Sequence, residues 1–157
     1  MPLYDITILF YNPNIEPRAE FDKRKEALLT FLTKAEIESE VDLIECNYDN
    51  TVFSNSVLSL REESEGGARC RICFTLRIRE TAMKAKAGEF DLFATTLTVS
   101  PHKDAELINT IGYRISDELN VKYMPSDFKT NDGFKRSVEL SKRYGLYRQA
   151  YCGCKTV

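Results

Sequence analysis

The sequence contains no long apolar run; its hydrophobic stretches end after a handful of residues, which excludes a membrane-spanning helix. It also lacks a basic N-terminal segment leading into an apolar one, so its start does not read as a secretory signal. Positive charge is not in excess: 22 Lys+Arg stand against 24 Asp+Glu, a net charge of −2, which excludes a protein that is basic overall and holds nucleic acid by bulk charge. Neither G-x-G-x-x-G nor a Walker-type loop occurs, so dinucleotide or ATP binding has no local support. There is no internal repeat, low-complexity tract or linker. What remains is 157 residues with 43% hydrophobic and 29% charged side chains, the composition of one soluble globular domain with a real core.

The charge is unevenly placed. Residues 122–157 carry eight basic side chains (Lys122, Lys129, Lys135, Arg136, Lys142, Arg143, Arg148, Lys155) and three acidic ones (Asp127, Asp132, Glu139), so the rest of the chain is acidic. A basic C-terminal fifth suits a polyanion, and it equally suits a solvated last helix.

Along the chain, strand and helix signals alternate. Tyr4 to Tyr11 is rich in β-branched and aromatic residues and is stopped by Asn12-Pro13-Asn14. Pro17 opens a helix to about Ala35 with Phe21, Ala27, Leu28 and Phe31 as its apolar face. Val41 to Cys46 reads as a second strand, Val52 to Leu60 as a short helical segment, and Cys70 to Lys86 as a second long helix. Phe90 to Thr96 predicts a third strand and Val121 to Met124 a fourth. Ser100 and Pro101 predict the N-cap and first residue of a helix running from about His102 to Leu119, and Gly133 to Tyr144 a last helix. This order predicts an α/β domain on a parallel sheet, whose ligands gather beyond the carboxyl ends of the strands. Polar residues there, among them Asp49, Asp104 and Asp127, are candidates for metal or substrate binding.

Five cysteines, an odd number without an export signal, point to a reducing compartment, where spacing means metal or redox chemistry. Cys70-Arg71-Ile72-Cys73 places two sulfurs one helical turn apart. Such a pair can clamp a metal ion, supply two corners of an iron–sulfur cluster, form a redox disulfide, or simply pack. Arg69, Arg71 and Arg77 add positive charge that favours thiolates. No second C-x-x-C and no histidine cluster completes a zinc site, because His102 is the only histidine and reads as a solvated first-turn residue. Cys152-Gly153-Cys154 would close a tight, easily reduced disulfide ring, suited to electron shuttling rather than to holding a fold, unless the two are incidental cysteines of an exposed tail. Cys46, at the end of an apolar strand, reads as a buried packing residue.

Five segments occur in one order: Tyr11-Asn12-Pro13-Asn14-Ile15, Arg69-Cys70-Arg71-Ile72-Cys73-Phe74, Thr95-Thr96-Leu97, Ser100-Pro101-His102-Lys103, and Leu146-Tyr147-Arg148-Gln149-Ala150-Tyr151-Cys152-Gly153-Cys154. Together they resemble the epoxyqueuosine reductases of the QueH type, from about Asp5 to the C-terminus. The resemblance implies a Rossmann-like fold related to the PP-loop and adenine nucleotide alpha hydrolase-like proteins, a three-layer α/β domain with a parallel sheet. It implies a cytoplasmic oxidoreductase that reduces epoxyqueuosine to queuosine at the wobble position of tRNA, the last step of queuosine synthesis. Cys70 and Cys73 would then bind a 4Fe-4S cluster, with an additional iron as an open alternative, and Cys152 with Cys154 would be the redox-active pair. Arg143 and Arg148 become candidates for tRNA phosphate contact, an unidentified electron donor is implied, and no membrane is.

The chain departs from that pattern at its start. QueH-type proteins resemble one another in an N-terminal strand ending in adjacent cysteines, followed by a helix. Here no cysteine precedes Cys46, so two expected cluster ligands and the strand and helix carrying them are missing. The expectation is a single QueH-like domain over residues 1–157, incomplete at its N-terminus because Met1 is not the natural start. A degenerate homologue is the alternative. Three functions remain open: the iron–sulfur reductase, a thiol–disulfide or zinc protein, and a non-catalytic tRNA-binding or partner-binding remnant.

Overall fold

The structure, a computed structural model, describes residues 3–154. Met1 and Lys155, which entered the sequence reading, lie outside the described residues. The chain divides into two compact units, one made of Met1–Asn50 and Ser137–Val157, the other of Thr51–Arg136.

In the first unit, β1 (Ile6–Phe10) and β2 (Val41–Glu45) pair in parallel, with Ile6 opposite Val41 and Phe10 opposite Glu45. Parallel neighbours cannot be joined by a hairpin, and α1 (Arg18–Lys34) makes the crossover. Isoleucine, threonine and valine suit the extended segments because branched side chains pack well on a pleated surface. Phe10, Ile15 and Phe21 form the buried core, with Leu28, Leu43 and Tyr48 against it. The rings of Phe10 and Tyr48 flank that of Phe21 at centroid distances of 5.2 and 5.1 Å. Helix α5 (Gly133–Tyr144), which belongs to this unit from Ser137 on, has the bounds that the sequence predicts, and none of its side chains is fully buried. Its last residue is tied to α1: Lys34 Nζ donates to the Tyr144 carbonyl at 2.7 Å, and the Phe31 and Tyr144 rings meet at 5.7 Å.

The second unit contains α2 (Thr51–Ser56), a 3-10 turn at Leu58–Leu60, α3 (Ala68–Ala87), a second 3-10 turn at Leu97–Val99 and α4 (Ala105–Leu119). Phe74, Ile78 and Ala82 recur every fourth residue on α3, and Ile108, Ile111 and Ile115 recur every third or fourth on α4. These stripes share one core with Phe93, Val121 and Tyr123. No described helix is long and apolar enough to cross a membrane.

Two expectations are corrected here. The predicted third and fourth strands reduce to one parallel bridge, Phe93 with Tyr123, made by Phe93 N–H to the Lys122 carbonyl and Met124 N–H to the Phe93 carbonyl, both 2.9 Å. The pairing ends there because Thr95 Oγ1 accepts from Leu97 N–H at 3.2 Å and turns the chain into the 3-10 segment. Helix α4 begins at Ala105 rather than near His102. Asp104 is its N-cap, accepting from Leu107 N–H at 3.1 Å, and a carboxylate there also meets the positive end of the helix dipole. Ser100 Oγ instead accepts from His102 N–H at 3.3 Å, closing a turn before the helix.

Gly112 on α4 lies under the Tyr123 ring; a Cβ there would come within 2.3 Å of Cζ. The ring cannot withdraw without losing its hydroxyl's 2.8 Å hydrogen bond to Asn109 Oδ1. Gly112→Ala is therefore expected to cost roughly 1–3 kcal/mol, read as a lower midpoint in urea unfolding at unchanged slope.

Candidate functional site

Each cysteine pair is built within one unit, Cys70 and Cys73 in the second, Cys152 and Cys154 in the first. Cys70 and Cys73 lie in the first two turns of α3, three residues apart and both buried, as the helical spacing requires. Cys70 also packs in the hydrophobic core with Phe74. The N–H of Gly66, in the loop before the helix, points at Cys70 Sγ from 3.2 Å. The neighbouring arginines do not act alike. Arg69 is buried, and its Nη1 donates to the carbonyls of Leu60 (3.4 Å), Arg61 (3.0 Å) and Glu63 (2.7 Å), so it folds the preceding loop instead of facing solvent. Arg71 is exposed. Among the described residues, no cluster of three or more Cys, His, Asp or Glu side chains is placed to hold a metal ion. The donor set is two thiols, which fits two corners of a four-thiolate cluster.

The C-terminal tail folds over α1. Arg24 is the anchor: Nη1 donates to the Cys152 carbonyl at 2.8 Å and Nη2 to the Tyr151 carbonyl at 2.9 Å. Its Nε donates to Glu20 Oε1 at 2.8 Å in a pair whose side chains are only 12% and 6% exposed. Tyr147 OH donates to both Glu20 oxygens at 2.9 Å, and Glu16 N–H donates to the Gly153 carbonyl at 2.8 Å. The Tyr151 ring lies against the Arg24 guanidinium, 5.6 Å from centroid to Cζ. Gly153 is buried, with φ +97°, and a Cβ there would meet Arg24 Nη2 at 2.9 Å. The glycine of C-G-C is thus required by a left-handed backbone and a guanidinium packed against it. Burial pushes the Glu20 carboxyl up, but hydrogen bonds from Arg24 and Tyr147 and the charges of Arg24 and Lys23 outweigh it and hold the group below the ordinary carboxylate range. Donation to Glu20 in turn holds the Tyr147 hydroxyl above the usual phenol value, with desolvation adding to it.

Arg143 is exposed on α5, its guanidinium over the Tyr144 ring at 5.4 Å. Arg148 Nη1 donates to the Ser137 carbonyl at 3.1 Å and to Ser141 Oγ at 3.0 Å, tying the tail to α5. Asp104 is occupied as a helix cap, and Asp127 pairs with Lys129 at 3.2 Å. His102 precedes α4 and is not in its first turn. Cys46 is half-buried rather than buried, because it lies one residue past β2 where the chain leaves the sheet; its N–H donates to the Phe10 carbonyl at 3.2 Å.

Sequence reasoning missed Glu20 and Arg24. Glu20 and Arg24 stand at i, i+4 in the favourable order, but Arg18 and Asp22 show the same spacing at the surface, so spacing alone selects neither pair. Asn14, inside the Y-N-P-N-I segment, is 2% exposed, and its Oδ1 has no hydrogen-bond partner among the described residues.

Because the Glu20 carboxyl is held low, its contribution to stability is present above the unfolded value of 4.5 and is lost as pH falls through the folded value. Glu20→Gln is expected to be less stable at pH 7 by roughly 1–3 kcal/mol and to lose less than the wild type on acidification, as measured by urea unfolding between pH 7 and 3. Gly153→Ala is expected to undock the tail: with a strain of roughly 1–3 kcal/mol, trypsin cleavage after the exposed Arg148 speeds up by about one to two orders of magnitude.

A family model described as epoxyqueuosine reductase QueH matches residues 2–156. The epoxyqueuosine reductase QueH of Streptococcus pyogenes serotype M1 is 43% identical over 152 residues, covering 96% of this chain and 60% of the relative. That of Staphylococcus epidermidis is 40% identical over 154 residues, covering 96% and 65%. That of Thermotoga maritima is 33% identical over 153 residues, covering 96% and 78%. The chain thus spans less than two thirds of the length of the first two relatives. With a family match running through both units and both cysteine pairs, this chain belongs to the epoxyqueuosine reductase QueH family.

Proposed function

We propose that this chain is the greater part of an epoxyqueuosine reductase, an oxidoreductase converting epoxyqueuosine to queuosine in tRNA. The observation that carries the reading is the match over residues 2–156 to a family whose relatives bear that name. A tRNA substrate supports a cytoplasmic location. The parallel β1–α1–β2 unit supports a Rossmann-like, PP-loop-related fold as the finer reading of the architecture.

The reaction's balance suits the residues present. Removing an epoxide oxygen as water leaves an alkene and consumes two electrons and two protons. Oxidation of a dithiol to a disulfide releases the same number of each, and Cys152 and Cys154 are the pair assigned to that exchange. Cys70 and Cys73 are assigned as two ligands of a 4Fe-4S cluster, with an additional iron as the finer reading. Bound there, such a group supplies single-electron transfer and Lewis acidity. The Gly66 N–H on Cys70 Sγ supports this role, since hydrogen bonds to ligating sulfur tune a cluster's potential. A further reductant must restore the dithiol. The exposed basic side chains of Lys142 and Arg143 on α5, with Arg148 beyond them, support phosphate contact to the tRNA.

Anaerobic reconstitution with iron and sulfide of the product of the full-length gene is expected to give a protein absorbing in the visible region that converts epoxyqueuosine-containing tRNA, followed by nucleoside mass spectrometry. Cys70→Ser is expected to lower both bound iron and turnover, turnover by about a hundredfold or more. Stoichiometric zinc without iron would select a thiol–zinc protein instead. Tight tRNA binding with no alkene product under reductant would select a non-catalytic homologue.

A further inference from the structure

The segment from Tyr151 to Cys154 has no regular secondary structure, and its conformation is imposed from outside it. Two of its carbonyls, Tyr151 and Cys152, accept from the Arg24 guanidinium, and the third, Gly153, accepts from Glu16 N–H. The guanidinium bonds to the backbone of one cysteine and packs against the glycine between the two. It is a largely buried cation, so its charge is little screened, and its ion-pair partner is Glu20, which also accepts from Tyr147 OH of the tail.

We propose that Arg24 is the positioning residue of the Cys152–Cys154 pair, and that Arg24 and Glu20 set the pair's dithiol–disulfide equilibrium in opposite directions. The inference rests on the reading of that pair as redox-active. In the exchange, the two thiols give up two electrons and two protons and one S–S bond forms. With glutathione disulfide as oxidant, its S–S bond breaks and the electrons and protons pass to two glutathione thiols. A cation fixed beside the segment favours thiolate character and so stabilises the reduced form, while a carboxylate paired with that cation damps the effect. A contact that only held the tail in place would shift the equilibrium in the same sense whichever member of the pair was altered.

The test equilibrates the whole 157-residue chain in glutathione buffers of stepped ratio. Differential alkylation and peptide mass spectrometry then read the state of Cys152 and Cys154. Arg24→Gln is expected to move the equilibrium about tenfold toward the disulfide, about 30 mV for this two-electron couple. Glu20→Gln is expected to move it toward the dithiol, and Arg24→Lys, which keeps the charge, to stay close to the wild type. Shifts of Arg24→Gln and Glu20→Gln in the same direction, or no shift in either, overturn the inference and leave the pair redox-active. A wild-type chain that forms no Cys152–Cys154 disulfide at any ratio overturns the redox reading and the inference with it. If Arg24→Gln fails to fold, Glu20→Gln decides the matter: a shift toward the dithiol supports the inference, and a shift toward the disulfide or no shift overturns it.

Discussion

A guanidinium that leaves water must find acceptors for its donors, and that requirement at Arg24 organises the first unit. Its acceptors are one side chain a turn away on α1 and two carbonyls of the tail, more than 120 residues along the chain. Because the partners are specific atoms, the tail has one register on α1, not a family of them. Buried ion pairs add little net stability, since desolvation cancels much of their attraction, but a broken one is costly. The Glu20–Arg24 pair is therefore better understood as what selects the tail's position than as a store of folding energy. Tyr147 continues the same logic by occupying both carboxylate oxygens.

The second unit uses a neutral version of this device. Thr98 is fully buried and shares a 2.9 Å hydrogen bond with Ser126, whose hydroxyl also reaches the Thr95 carbonyl at 3.2 Å. Asn109 on α4 receives the Ser126 N–H at 3.2 Å and donates to its carbonyl at 2.9 Å. The loops after the Phe93–Tyr123 bridge are thereby joined to a helix by satisfied polar groups, where a ladder of strand hydrogen bonds does not continue. Threonine-rich Thr95-Thr96-Leu97, one of the segments that carries the family resemblance, earns part of its distinctiveness from this structural duty.

Much of the architecture was legible along the chain. Helix α5 matches residue for residue, α1 and α3 match within a few residues, and the first two strands lie within the predicted stretches. Local patterns decided these: β-branched runs, a helical apolar stripe, a glycine or proline at a boundary. The misreadings share a cause as well. Phe90 to Thr96 has strand composition, yet Thr95 forms a local turn that competes with pairing. Ser100-Pro101 has the look of a helix start, yet Asp104, four residues on, offers the stronger cap. In each case two locally reasonable choices competed, and the packing around them chose.

The sequence by itself determined which side chains can do redox and metal chemistry and how the members of each pair are spaced. Three residues on a helix place Cys70 and Cys73 on one face, and two residues around a glycine keep Cys152 and Cys154 together, whatever the rest of the chain does. Tertiary structure alone decided that Arg69 serves a loop, that Arg24 serves the C-G-C tail, and that Glu20 is buried between Arg24 and Tyr147. Spacing is a property of a few consecutive residues, whereas the satisfaction of a buried charge depends on atoms brought together from distant parts of the chain.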